Sequence, residues 1–244
     1  MPDAHVPPFA KKPYEAFSRA AVVAIALREW RLFGQPMDDP EGEAARVVKP
    51  EREEGLWQRI GEYWWLGLNA GSYESAWTGK HDGQGRVFPP DQDGEYAWSA
   101  AFVSYVFRIA GAGPRFPYSA DHAVYINAAR EVSLGRTNRW LLSAERVQDY
   151  APRPGDLVCF GRASARGLRY QDLPTPGLFP SHCDIVVDTG EPGSIKVIGG
   201  NVQDAVTMNI VPVTPDGRLA TPDGTVLDTR FPWMTVLRVL DGTP

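Results

Sequence analysis

The chain has 244 residues, a formal net charge of −5, and a composition that is 43% hydrophobic and 23% charged. These values are typical of a globular protein that can bury a sizeable core. The absence of a basic cluster argues against nucleic-acid binding, and no segment approaches the roughly 20 apolar residues of a membrane span.

The first part of the chain predicts helices. Residues 1–12 are rich in proline and are expected to be loose. Beyond them, apolar residues recur at helical spacing in four segments, 14–33, 51–69, 98–110 and 120–131. The most regular apolar stripe belongs to the third segment and comprises Trp98, Phe102, Tyr105, Val106 and Ile109.

The second part of the chain predicts strands separated by turns rich in proline and glycine. The predicted strands cover 156–160, 183–188, 195–198, 206–213 and 236–240. Helices followed by strands indicate an α+β fold, with an antiparallel sheet packed against helices. We divide the chain into an N-terminal helical extension over residues 1–70, packed on the core, and an α+β domain over residues 71–244.

Two of the predicted strands are joined by a turn and should form an antiparallel hairpin. If Asp188 faces Ile195 in this hairpin, then His182 lies opposite Asn201. Because side chains alternate along a strand, His182, Asp184 and Asn201 then share one face of the sheet. Opposed Cβ atoms are about 4.5–5.5 Å apart, which predicts that the amide of Asn201 holds the imidazole of His182.

Ser99 lies where a helix should begin. Unpaired N–H groups and the positive end of the helix dipole would favour a nucleophile at this point. A serine nucleophile needs a base such as His182, whose tautomer Asn201 or Asp184 would fix. Taken singly, Ser99 is interpreted more simply as a helix N-cap, His182 as a strand-end histidine and Asn201 as a turn residue.

A metal site is an alternative function for some of these side chains. The available ligands are His81, His122, His182, Cys183 and Asp184. No CxxC or HExxH spacing occurs among them, and adjacent residues of a strand point to opposite faces. We therefore expect no metal and no other cofactor.

Paired carboxylates are a second alternative, since glycosidases use two of them. Glu95 with Asp93 or with Asp121 would be such a pair. The signal is weak, because any acidic loop offers similar pairs.

The chain contains two cysteines, Cys159 and Cys183, each inside an apolar strand pattern. This setting predicts two buried free thiols rather than a disulfide framework. A single bridge between the two strands is the alternative.

Four segments together resemble the CHAP and NlpC-type papain-like peptidoglycan hydrolases. The segment from Trp98 to Ser104 is similar to their nucleophile helix, and Pro152 to Val158 to their entry strand. The segments 181–186 and 198–201 are similar to the strands that carry the histidine and its orienting residue. The resemblance covers about residues 95–240 and extends to an uncharacterised bacterial domain family of this superfamily. It implies a papain-like fold and cleavage of an amide bond in peptidoglycan.

The resemblance assigns roles residue by residue. Ser99 stands at the nucleophile position, where the hydrolases have cysteine, His182 at the base and Asn201 at the orienter. Gly199 stands where CHAP-like sites often keep an acidic residue, and Asp184 is the substitute on the face of His182. The candidates for binding substrate are Tyr96, Trp98 and His122.

The function expected from this reading is a peptidoglycan amidase or endopeptidase with a serine–histidine–asparagine triad, acting on peptidoglycan or a muropeptide. A catalytically inactive binding module and a serine esterase or acyl transferase are the alternatives. The apolar run over 20–27 is bracketed by charged residues and is read as a helix rather than a signal peptide. We therefore expect a protein that is cytoplasmic in its producer. Delivery to the periplasm or cell envelope as a toxin, with an immunity protein as partner, is a further expectation.

Overall fold

Four α-helices lie in the part of the chain that the computed structural model describes, residues 16–38, 49–69, 71–89, 92 and 95–240. The expectation for residues 1–12 lies outside these ranges. The helices are α1 (Arg19–Leu32), α2 (Leu56–Gly67), α3 (Ser99–Ile109) and α4 (His122–Ser133). Each coincides with one of the four segments predicted from helical periodicity. Among the described residues, no helix is both long enough and apolar enough to cross a membrane.

Within the described ranges, six strands form a sheet in the order β1-β6-β2-β3-β4-β5, and every neighbouring pair is antiparallel. They are β1 (Leu142–Glu145), β2 (Leu157–Gly161), β3 (Ser181–Asp188), β4 (Ser194–Val202), β5 (Ala205–Pro212) and β6 (Trp233–Val239). The predicted α+β class is therefore confirmed. The sequence pattern missed β1, which has four residues and no regular alternation of buried and exposed positions.

α2 packs closely against α3. Gly67 makes this packing possible, because a Cβ on it would lie 2.4 Å from the carbonyl oxygen of Ala101 and 2.9 Å from the amide nitrogen of Tyr105. Tyr63 of α2 packs edge-on against Phe102 of α3, with ring centroids 5.4 Å apart. Ile109, predicted to lie on the buried stripe of α3, is instead exposed at the end of the helix.

A buried charge network ties the first three helices together. Glu29 of α1 is fully buried, and its Oε2 accepts hydrogen bonds of 2.7 Å from Arg59 Nε and from the hydroxyl of Tyr63. Arg59 also donates to the hydroxyl of Tyr105 on α3. Buried charges of this kind are tolerated only when they are paired and hydrogen-bonded.

The expectation of two free thiols is wrong. Cys159 of β2 and Cys183 of β3 are directly paired across the two strands, with Cα atoms 4.1 Å apart, and they form a disulfide. The strand assignments were correct, but the pairing of β2 with β3 could not be read from the spacing of the two cysteines. The disulfide lies next to His182 in the sequence of β3.

The β3–β4 hairpin has the predicted register at its centre. Val186 pairs with Val197, and Ile185 pairs with Ile198. Near the turn, Asp188 pairs with Lys196 rather than with Ile195, because the register shifts at a bulge between Val186 and Asp188.

Candidate active site

Ser99 is the first residue of α3, and its side chain does not cap that helix. The N-cap residue is Trp98, and the first helical hydrogen bond runs from the amide of Phe102 to the Trp98 carbonyl. The Oγ of Ser99 instead lies 2.7 Å from Nε2 of His122, the first residue of α4. The hydroxyl thus joins the starts of two helices, and the interpretation as an N-cap is wrong.

Trp98 anchors the start of α3 in the core. Its indole is 1% exposed, donates from Nε1 to Oε2 of Glu51 over 2.8 Å, and stacks on Phe33. A side chain buried to this extent offers no surface to a ligand. Trp98, which the sequence suggested as a substrate contact, is packed in the core directly before Ser99.

The imidazole of His122 is hydrogen-bonded on both sides. Nε2 faces Ser99, and Nδ1 is in contact with the hydroxyl of Tyr125 one turn further along α4. Residues three apart on a helix lie on the same face, so this spacing brings the phenol to the ring.

The second histidine of the site, His182, pairs with a carboxylate on its own strand. Its Nε2 lies 2.8 Å from Oδ1 of Asp184, because residues two apart on β3 share a face of the sheet. The ring of His182 has its centroid 5.1 Å from that of His122. Ser99, His122, His182 and Asp184 are all 1–4% exposed, so the group is buried.

Two of the predicted contacts are not formed. Within the described part of the chain, the hydrogen-bond partner of Ser99 is His122 and not His182, and the partner of His182 is Asp184 and not Asn201. Asn201 has a left-handed φ of 56° and lies where the β4–β5 register shifts between Gly199 and Val202. The alternation that placed Asn201 beside His182 assumes regular strand geometry, which ends at this irregularity.

Gly199 leaves space for the carboxylate that holds His182. A Cβ at position 199 would lie 2.1 Å from Oδ1 of Asp184 and 2.9 Å from Nε2 of His182. The Asp184 side chain therefore fills the volume that a side chain at 199 would need, and the orienting carboxylate comes from the histidine's own strand.

Burial sets the charge state of the His122–Tyr125 pair. Burial, followed by the nearby His182 and Arg162, lowers the pKa of His122 well below its ordinary value. Burial also raises the pKa of Tyr125 well above its ordinary value, with further contributions from Asp121 and Asp184. Both groups are therefore uncharged at neutral pH.

Tyr96, another suggested substrate contact, belongs to an aromatic cluster. Its ring stacks on Phe88 with centroids 3.7 Å apart and meets Trp77 edge-on. Among the described residues, the ring contacts and hydrogen bonds of Ser99, His122 and His182 do not involve Tyr96.

The residues of the two alternative sites can be located only in part. Among the described residues, no group of three or more histidine, cysteine or acidic side chains is arranged to hold a metal ion. Of the carboxylates considered for glycosidase chemistry, Asp93 lies outside the described residues. Asp121 lines a pocket of about 240 Å³ with Glu74, and burial, followed by Glu74, raises its pKa.

Sequence reasoning named His122 but missed its partnership with Ser99, and it missed Tyr125 altogether. The available signal was the spacing of His122 and Tyr125 on one face of a predicted helix. The contact between His122 and Ser99 joins two helices, and no local pattern reports it.

The fold and the site together define an α+β protein in which a serine and a histidine at two helix starts lie beside a histidine–carboxylate pair. The chain belongs to the family described as "Uncharacterized protein conserved in bacteria (DUF2272)", which matches residues 51–239. The match includes Ser99, His122, His182 and Asp184. No curated protein and no solved structure matches the chain.

Proposed function

We propose that this protein is a hydrolase of papain-like architecture that cleaves an amide bond in bacterial peptidoglycan. Ser99 is the nucleophile, and His182, held by Asp184, is the base. The observation that carries the proposal is the position of the Ser99 hydroxyl at a helix start, in a buried group with two histidines of which one is paired with a carboxylate.

The hydrogen bond to Asp184 defines the role of His182. A carboxylate only accepts hydrogen bonds, so Nε2 of His182 donates to Asp184, and the neutral form of the ring then has Nδ1 as its acceptor nitrogen. In the proposed step, Nδ1 takes the proton of Ser99 while Oγ bonds to the substrate carbonyl carbon, and the carbonyl π pair moves to oxygen. Hydrogen bonds between a nucleophile and its base, here Ser99 and His182, are often long until substrate binds.

The two helix starts favour the negative charge that forms in this step. Ser99 and His122 are the first residues of α3 and α4, and neither helix has an acidic residue in its first turn. The first N–H groups of a helix lack intrahelical partners, and the dipole places partial positive charge there. A developing oxyanion beside Ser99 would be stabilised by both ends.

Two observations support peptidoglycan as the substrate. The first is the resemblance of the sequence around Ser99 and His182 to CHAP and NlpC-type hydrolases. The second is the disulfide between Cys159 and Cys183, because disulfides persist in oxidising compartments such as the periplasm. Action in the periplasm or cell envelope, with an immunity protein protecting the producer, is part of the proposal.

Digestion of purified sacculi tests the proposal. The wild-type protein should release muropeptide fragments detectable by mass spectrometry, and Ser99→Ala should abolish the release. Ser104→Ala is the matched control, since Ser104 is a buried serine of the same helix that donates to the carbonyl of Ser119. Retention of full turnover by Ser99→Ala would contradict the proposal.

Two other functions are compatible with serine in place of cysteine at position 99. One is a binding module that has lost catalysis, and the other is a serine esterase or acyl transferase. The Ser99→Cys variant separates the first from the main proposal. A gain of amidase activity would indicate a competent site, whereas binding of muropeptides without turnover in both proteins would indicate a binding module. Hydrolysis of acyl esters by a protein that leaves sacculi undigested would indicate an esterase.

A further inference from the structure

We infer that His122 is a catalytic hydrogen-bond donor, held in one tautomer by Tyr125, that presents Nε2–H to Ser99 and to the oxyanion formed there. This inference rests on the proposed role of Ser99 as nucleophile. It differs from the simpler assignment of His122 as the base, which its direct contact with Ser99 would suggest.

The proton of Tyr125 determines the tautomer of His122. The phenol is fully buried, and among the described residues its hydrogen-bond partner is Nδ1 of His122. If Nδ1 carried a hydrogen, the phenolic hydrogen would be buried without an acceptor, which is unfavourable. Tyr125 therefore donates to Nδ1, and the neutral ring carries its hydrogen on Nε2.

The hydrogen on Nε2 decides what Ser99 can do. Nε2 lies 2.7 Å from Oγ, so His122 donates to Ser99 and cannot accept the hydroxyl proton. That proton remains free for another acceptor at the site. In its neutral form, His182 offers Nδ1 as that acceptor, because its Nε2 donates to Asp184.

The surroundings of His122 disfavour its cationic form. The ring lies at the start of α4, directly after the N-cap residue Asp121. The other charged or titratable groups near it are Tyr125 on its own helix, His182 with its partner Asp184 on β3, and Arg162 after β2. A protonated ring would be repelled by His182 and Arg162. An imidazole kept neutral at a helix N-terminus can polarise an oxygen by hydrogen bonding instead.

The inferred role places one donor at the reacting centre. As Oγ bonds to the carbonyl carbon, negative charge moves to the former carbonyl oxygen, and a donor that contacts Oγ is adjacent to it. Removal of one oxyanion donor from a hydrolase typically lowers the rate by about 10²–10³-fold. Tyr125 acts through His122 and is a positioning residue.

Two variants of His122 distinguish a hydrogen-bond donor from a base at this position. The probe is an alkyl fluorophosphonate, which reacts with an activated serine by forming an Oγ–P bond as the P–F bond breaks; fluoride leaves and the serine proton passes to His182. His122→Ala should slow labelling of Ser99 by about 10²–10³-fold. His122→Gln keeps an N–H donor and should recover at least about tenfold of that loss. Equal loss in His122→Gln and His122→Ala would overturn the inference.

Nitrogen NMR of the histidine rings tests the tautomer without any turnover. In the whole wild-type protein, Nε2 of His122 should be protonated and Nδ1 unprotonated. Tyr125→Phe keeps the aromatic ring and removes only the hydroxyl, so it should introduce the other tautomer of His122 and slow labelling. A purely structural role for Tyr125 would leave the tautomer of His122 unchanged. Protonation of Nδ1 in the wild type would overturn the inference. If a Ser99 variant were labelled as fast as the wild-type protein, the proposed function would be contradicted. The nitrogen spectrum of His122 would still report its tautomer, so the two failures are distinguishable.

Discussion

The carboxylate of Asp184 occupies the space into which a side chain at Gly199 would project. A Cβ at 199 would come within 2.1 Å of Oδ1 of Asp184, closer than a van der Waals contact allows. The pair formed by His182 and Asp184 therefore depends on the absence of a side chain on the neighbouring strand.

Gly199→Ala should disable the site by displacing Asp184. Loss of the orienting carboxylate in a serine hydrolase lowers turnover by as much as about 10⁴-fold, so we expect a loss of at least about 10²-fold. Muropeptide release measures the effect, and circular dichroism checks that the fold is kept. Gly167→Ala is the control, since a Cβ there would meet nothing within 4 Å. Full activity in Gly199→Ala would contradict the placement of the carboxylate.

Asp184 and Asn201 should differ sharply in their effect on turnover. Asp184→Asn removes the charged acceptor of His182 and should lower the rate by about 10⁴-fold. Asn201→Gly keeps the left-handed backbone without strain and removes an amide that makes no hydrogen bond to His182 among the described residues, so the rate should be unchanged. A large loss in Asn201→Gly would restore Asn201 as the orienting residue.

The buried His122 should make the protein less stable in mild acid. Burial lowers the pKa of His122 in the folded state, whereas an exposed histidine titrates near pH 6.5. As the pH falls below about 6.5, the unfolded chain binds the proton first, so the free energy of unfolding decreases. His122→Gln removes this linkage and should show a shallower decrease between about pH 7 and 5. Urea denaturation at each pH measures it, and identical slopes would contradict the prediction.

The charge network of α1, α2 and α3 should be a large contributor to stability. Arg59→Leu leaves the fully buried Glu29 without its cation and should lower the free energy of unfolding by about 3–5 kcal/mol. Glu62→Gln removes the exposed partner of the same arginine and should change it by less than about 1 kcal/mol. Urea denaturation measures the free energy of unfolding of the two variants. Similar losses in Arg59→Leu and Glu62→Gln would contradict the prediction.

Reduction of the disulfide should destabilise the fold. Cys159 and Cys183 are 24 residues apart, and a closed loop of this size contributes about 3 kcal/mol in the chain-entropy description. The double variant Cys159→Ala/Cys183→Ala should therefore unfold at a lower urea concentration than the oxidised protein. It should also be insensitive to added thiol, whereas the wild-type midpoint should drop. An unchanged wild-type midpoint in thiol would show that the bridge contributes little.

Local periodicity was sufficient to predict the elements that carry the site. The helical stripe placed Ser99 at the start of α3, and strand alternation put His182 and Asp184 on one face. Local periodicity could not predict the contacts between these elements. The Ser99–His122 hydrogen bond depends on how two helices pack, and the disulfide on which strands are neighbours. The role given to Asn201 failed because a local irregularity in β4 ends the regular alternation from which it was derived.

Ser99 and His122 lie in the first turns of α3 and α4. The 2.7 Å distance between Ser99 Oγ and His122 Nε2 therefore depends on the relative position of the two helices. An axial slide of one helix by a single residue is a displacement of about 1.5 Å, which is enough to break the contact. The stacked rings of Phe107 on α3 and Phe116 after it, with Tyr125 on α4 beyond them, hold the two helices in place. Substitution of Phe107 or Phe116 would therefore change the position of Ser99 relative to His122.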